Sequence, residues 1–145
     1  MDHQLLLQFV IATAMLIGCV VTHGVGLSSL SRVTRSEAAI EHLQGVDPLS
    51  PRGALFTLGI VLALFTLHGV EIWAFTLLYL RLGAIPGLEQ ALYFSTISYS
   101  TVGYSDVHIA PDWRLIGAFE SILGMILLGW STAFFFRMLG RIDAH

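Results

Sequence analysis

Ser100-Thr101-Val102-Gly103-Tyr104-Ser105-Asp106 decides how this chain is read. It is a polar, glycine-containing stretch in a mostly apolar chain. On its N-terminal side lies a short amphipathic segment, Leu88–Tyr99, and on its C-terminal side a long apolar run, Trp113–Met138. A helix over 88–100 rises roughly 19 Å, too little for a hydrocarbon core of about 30 Å. The run over 113–138 is long enough to cross. The polar stretch therefore sits where a half-length helix hands over to a spanning one.

Two more apolar runs precede it. Leu5–Leu30 rises roughly 39 Å as a helix. Its few polar members include Gln8, Thr13, Thr22 and His23, and its glycines 18, 24 and 26 permit close helix approach. It has no arginine ladder, which excludes a voltage sensor. Met1-Asp2-His3 is not a basic leader, so the run is expected to be a retained helix rather than a signal peptide. Ala54–Leu80 is the second run, with Trp73 and Tyr79 suited to its outer half. Between the two, residues 31–53 form a polar link carrying Arg32, Arg35 and Arg52, with a short helix expected from a Ser36 cap through Leu43.

Composition agrees with a membrane class. Of 145 residues, 55% are hydrophobic and 12% charged, against about 25% charged in a soluble domain. A net charge of −3 gives no basis for a nucleic acid partner. The single cysteine, Cys19, excludes an internal disulfide. No phosphate-cradling glycine loop with lysine and no nucleophile elbow is present, so an enzyme is not expected. The expected fold is all-α and membrane-embedded: three transmembrane helices (1–30, 54–80 and 113–138), a cytoplasmic link (31–53) and a short re-entrant helix (88–100).

The stretch resembles the pore loop of potassium channels, whose filter reads T-V-G-Y-G-D. Thr101, Val102, Gly103, Tyr104 and Asp106 match, and Ser105 stands where the family has glycine. The resemblance runs from about Ala54 to Gly140 and leaves out the first helix. It implies a pore domain over 54–145 with outer helix, pore helix, filter (101–105) and inner helix, assembled as a homotetramer in the lipid bilayer. It further implies that K+ is the permeant ligand, held by carbonyls of Thr101, Val102, Gly103 and Tyr104. Gly103 permits the φ > 0 backbone such a lining needs. Asp106 would place negative charge at the outer mouth. Tyr93 and Phe94 occupy the family's aromatic cuff, and Gly124 and Gly129 match inner-helix glycines. Gly124 is either a gating hinge or a close-packing position. Ser105 raises a nonselective monovalent cation channel as the alternative. No other cofactor, and no ligand-binding regulatory domain after the third span, is expected.

Three ionisable groups fall inside spans. His68 and Glu71 are spaced i,i+3 on one helix face, and Glu120 lies at a comparable height in the third. Charges there are costly and need partners. They form either a protonation-sensitive link between outer and inner helices or a structural hydrogen-bond cluster. Ser131, Thr132 and Ala133 are small enough to line the lower pore, and Phe134, Phe135 and Phe136 either narrow its inner mouth or face lipid. A haem held by His23 and His68 is a further alternative, but His23 is expected nearer the cytoplasm than His68, at a mismatched height. The arginines of the link, with Arg137 and Arg141, put both segments in the cytoplasm and the N-terminus and filter outside.

Overall fold

The computed structural model describes residues 3–34, 50–103 and 109–143. All regular structure among them is helical: α1 His3–Val33, α2 Pro51–Arg81, α3 Leu88–Tyr99, a 3₁₀ turn Pro111–Trp113, and α4 Arg114–Asp143. The helix expected over 36–43 lies outside the described residues. Each long helix extends past its apolar run. Ser50 caps α2 by accepting from the Gly53 N–H at 3.2 Å, and Pro51 occupies the first turn, where its missing N–H costs nothing. Three helices, residues 3–33, 51–81 and the 111–140 stretch, are long and apolar enough to cross a membrane.

α2 ends at Leu82-Gly83, where Gly83 has φ +61 and turns the chain. Gly87, φ +93, starts α3. The segments before α3 and before the 3₁₀ turn are tied by the Ala110 N–H donating to the Ala84 carbonyl at 2.8 Å. α3 then runs inward between α2 and α4. Its Phe94 ring packs edge-on against Tyr79 of α2, centroids 5.3 Å apart, and fills the space a side chain at Gly117 of α4 would occupy.

α1 lies against both α2 and α4. Gln4 Nε2 donates to the Asp112 carbonyl at 3.0 Å, and Gln8 Oε1 accepts from the Leu115 N–H at 3.2 Å, one of the orphan donors that open α4. The N-terminal ends of α1 and α4 therefore lie together, and the two helices run parallel with α2 antiparallel to them. Further along, Gly26 receives Leu67 and Gly24 faces Trp130. One apolar cluster surrounds α3, with Phe75, Tyr79, Phe94, Tyr99 and Leu123 at its heart. A second, built from Leu27, Ile60, Leu64, Phe134 and Met138, closes the opposite end. The outward faces stay apolar: Leu55, Phe65 and Phe136 are 70%, 77% and 65% exposed. Such faces suit lipid or a neighbouring chain, not water.

Candidate functional site

The α3 C-terminus leads straight into the polar stretch. The Ser100 N–H donates to Thr96 O, Thr101 N–H to Ser98 O, and Gly103 N–H to Ile97 O at 3.0 Å, so the last turn of α3 anchors the first residues of the loop. Thr101 has φ +64 and Gly103 φ +54. Gly103 adopts this freely. A β-branched residue at positive φ is an outlier, costing of order 1–2 kcal/mol. Thr101, Val102 and Gly103 are all exposed within the single chain. Tyr104, Ser105 and Asp106 lie outside the described residues.

Gly124 sits where α4 meets the end of α3. A Cβ there would overlap the Tyr99 carbonyl, so close packing has a direct geometric basis. Gly129 has open space beside it. Of the aromatic pair, Phe94 is buried and Tyr93 is 55% exposed. Ser131 is not available to line a pore: it is buried, 5% exposed, and bonded to two histidines. Thr132 and Ala133 are exposed. Phe134 packs in the lower cluster while Phe136 points outward.

The buried polar groups form two sets instead of the single His68–Glu71–Glu120 link. Glu120 accepts from Tyr79 at 2.6 Å and from Ser95 at 2.5 Å, tying α4 to α2 and α3. Glu71 belongs to a larger set with His23, Ser131, His68 and Tyr99. His23 Nδ1 lies 2.9 Å from Glu71 Oε1, and His23 Nε2 lies 3.1 Å from Ser131 Oγ. Ser131 Oγ also meets His68 Nε2 at 2.9 Å, and His68 Nδ1 meets the Tyr99 hydroxyl at 2.8 Å. Tyr99 donates to Glu71 Oε2 and closes the ring. Around this ring the His23 N–H donates to Glu71, the Ser131 hydroxyl to His23, and the His68 Nε2–H to Ser131. Among the described residues no buried side-chain nitrogen or oxygen lacks a partner. All four helices contribute.

This corrects the expected heights of His23 and His68. Their ring centroids are 5.1 Å apart. Parallel packing of α1 on α4 sets His23 beside Glu71 and His68 in the middle of α2. All four ring nitrogens point at protein partners, and the rings touch, which leaves no room for a porphyrin between them. Sequence reading singled out His68, Glu71 and Glu120, but not Tyr99 and Ser131 as partners of the first two or Tyr79 and Ser95 as partners of the third. The available signal was general: an ionisable group inside a span needs a partner.

A half-length helix held inside three spanning helices, with a strained loop at its inner end, defines a membrane pore module. The sequence model of the ion channel family matches residues 65–141, more than half the chain and all of α3, the loop and most of α4. The chain belongs to that family, in its two-helix, potassium-channel pore form, and it is a multi-pass membrane protein. Neither a curated protein nor a solved structure matches it. α1, including His23, lies outside the matched stretch.

Proposed function

We propose that this chain assembles as a homotetramer and conducts K+ passively across a cell membrane. The carbonyls of Thr101, Val102, Gly103, Tyr104 and Ser105 replace the ion's hydration shell, and Asp106 concentrates cations at the outer mouth. One loop per chain calls for four chains around an axis. The observation that carries this reading is the handover at 99–103. α3 stops at mid-bundle, its C-terminal dipole is directed at the loop, and the backbone turns through positive φ at Thr101 and Gly103. Re-entrant backbone at membrane depth is tolerated only where protein or a water-filled path covers it. The exposed loop and apolar faces of the single chain therefore need further chains around them.

Conduction is downhill, with no catalytic step and no cofactor besides the permeant ion. The N-terminus and filter face outward and the C-terminus faces the cytoplasm, as the arginine distribution requires. Gly124, Gly129, His68, Glu71 and Glu120 are the groups through which gating is to be sought. The test is a purified preparation in a planar bilayer with K+ on one side and Na+ on the other. A reversal potential near the K+ equilibrium value supports the reading. Equal Na+ and K+ currents would select a nonselective cation pore, to which Ser105 points.

A further inference from the structure

Both Nδ1 atoms of buried His23 and half-buried His68 converge on one carboxylate, and both Nε2 atoms rest on one hydroxyl. His23 Nδ1 is 2.9 Å from Glu71 Oε1, and His68 Nδ1 is 3.5 Å from Glu71 Oε2. Ser131 Oγ lies 3.1 Å from His23 Nε2 and 2.9 Å from His68 Nε2. We propose that His23, His68 and Glu71 form a binding site for a divalent transition-metal ion, with Zn2+ the best match.

The donor atoms of the three residues all lie within 4.8 Å of one another. Zn2+ holds nitrogen and oxygen ligands at about 2.0–2.2 Å, so tetrahedral neighbours stand about 3.3 Å apart. The observed 2.9 and 3.5 Å bracket that spacing. Two imidazoles and one carboxylate are a borderline-soft set that suits Zn2+ and excludes the hard, oxygen-seeking Mg2+ and Ca2+. The Tyr99 hydroxyl, 2.8 Å from His68 Nδ1, or a water fills the fourth position.

The surroundings are also those a metal needs. A ligating histidine donates its remaining N–H to an acceptor that fixes the ring. Ser131 serves both rings, since a hydroxyl oxygen has two lone pairs. With both Nδ1 atoms on the metal, each ring carries its proton on Nε2 and donates it to Ser131, and the hydroxyl proton of Ser131 turns from His23 to another acceptor. Beside Glu71, between α1 and α2, lies an open, mostly apolar groove of about 230 Å3 lined by Met15, Cys19, Thr22, Val70, Glu71 and Ala74, through which an ion could reach the ligands. A bound ion would clamp α1 to α2 at the residue that holds Tyr99, two positions before the loop.

The site does not depend on what the pore conducts, and its test reads metal directly. The full chain in detergent is equilibrated with ZnCl2, desalted, and its zinc measured against protein. One Zn2+ per chain is expected, with Co2+ substitution giving the visible bands of a tetrahedral ion. His23→Ala, His68→Ala and Glu71→Gln each abolish this binding. Ser131→Ala retains every ligand and weakens affinity about tenfold or more. Wild-type protein that holds no Zn2+ after desalting overturns the proposal and leaves a hydrogen-bonded cluster only. Zinc retained undiminished in the ligand variants overturns it equally, placing the metal elsewhere.

Discussion

His23 of α1 sets its Nδ1 2.9 Å from Oε1 of Glu71 in α2, and neither side chain is exposed to any extent. Forty-eight positions separate them along the chain. The contact joins the helix outside the family-matched stretch to the helix whose Glu71 accepts from Tyr99, the last residue of α3. It gives α1 a defined role as one wall of the cage around the loop's anchor.

Glu71→Gln keeps the shape and removes two acceptor lone pairs. An amide can accept through one oxygen only, so either His23 or Tyr99 loses its acceptor. An unsatisfied buried donor costs about 1–3 kcal/mol. A lower unfolding midpoint in detergent is expected. Current recorded against pH separates the two readings of this cluster: a flattened response in the variant supports a protonation-linked gate, and an unchanged response leaves a structural role.

Glu120 is held by Tyr79 and Ser95. Tyr79→Phe and Ser95→Ala should each destabilise by about 1–3 kcal/mol, since each leaves the buried carboxyl short of a donor. The double variant should depart from the sum of the singles by 0.5 kcal/mol or more in magnitude, because both bonds serve one group. Strict additivity in denaturation midpoints would contradict a shared acceptor.

Gly124→Ala sets two effects against each other. Alanine gains about 1 kcal/mol of helix propensity. Its methyl, however, meets the Tyr99 carbonyl, a backbone atom that cannot swing aside, and overpacking costs about 1–3 kcal/mol. Net destabilisation and altered current are expected. Gly129→Ala has open space in the single chain, so only the propensity gain applies. A marked loss of stability there would instead reveal a neighbouring chain against that face.

Gly103→Ala introduces a side chain at φ +54 without any neighbour to strike. Folding should survive at a cost of about 1–2 kcal/mol, while single-channel conductance falls or disappears, because the loop relaxes away from the geometry glycine permits. Normal conductance in correctly assembled protein would remove Gly103 from the conducting path.

Much of this architecture was legible without coordinates. Hydropathy alone separates the spans around Leu5–Leu30, Ala54–Leu80 and Trp113–Met138, because crossing a bilayer demands some twenty apolar residues in a row. The shortness of Leu88–Tyr99 betrays a helix that cannot cross. Gly103 and its neighbours are a local motif, readable because backbone conformation there depends on adjacent residue types. The helix ends were less exact: Ser50 and Pro51 start α2 before its apolar run begins, because capping is a matter of hydrogen bonds and not of hydropathy.

Tertiary structure alone decided the partners. His23 and His68 are level because α1 lies parallel to α4 and packs through Gly24 and Gly26, a docking that hydropathy does not encode. Ser131 looks like a small pore-lining residue by type, yet faces two imidazoles by position. Glu71 and Glu120 share a class and a depth but join different hydrogen-bonded sets, since each answers to whichever donors the neighbouring helices present. Which segments enter the membrane follows from transfer energies that act residue by residue. Which polar groups meet inside it follows from helix rotation and register, set only when all four helices pack together.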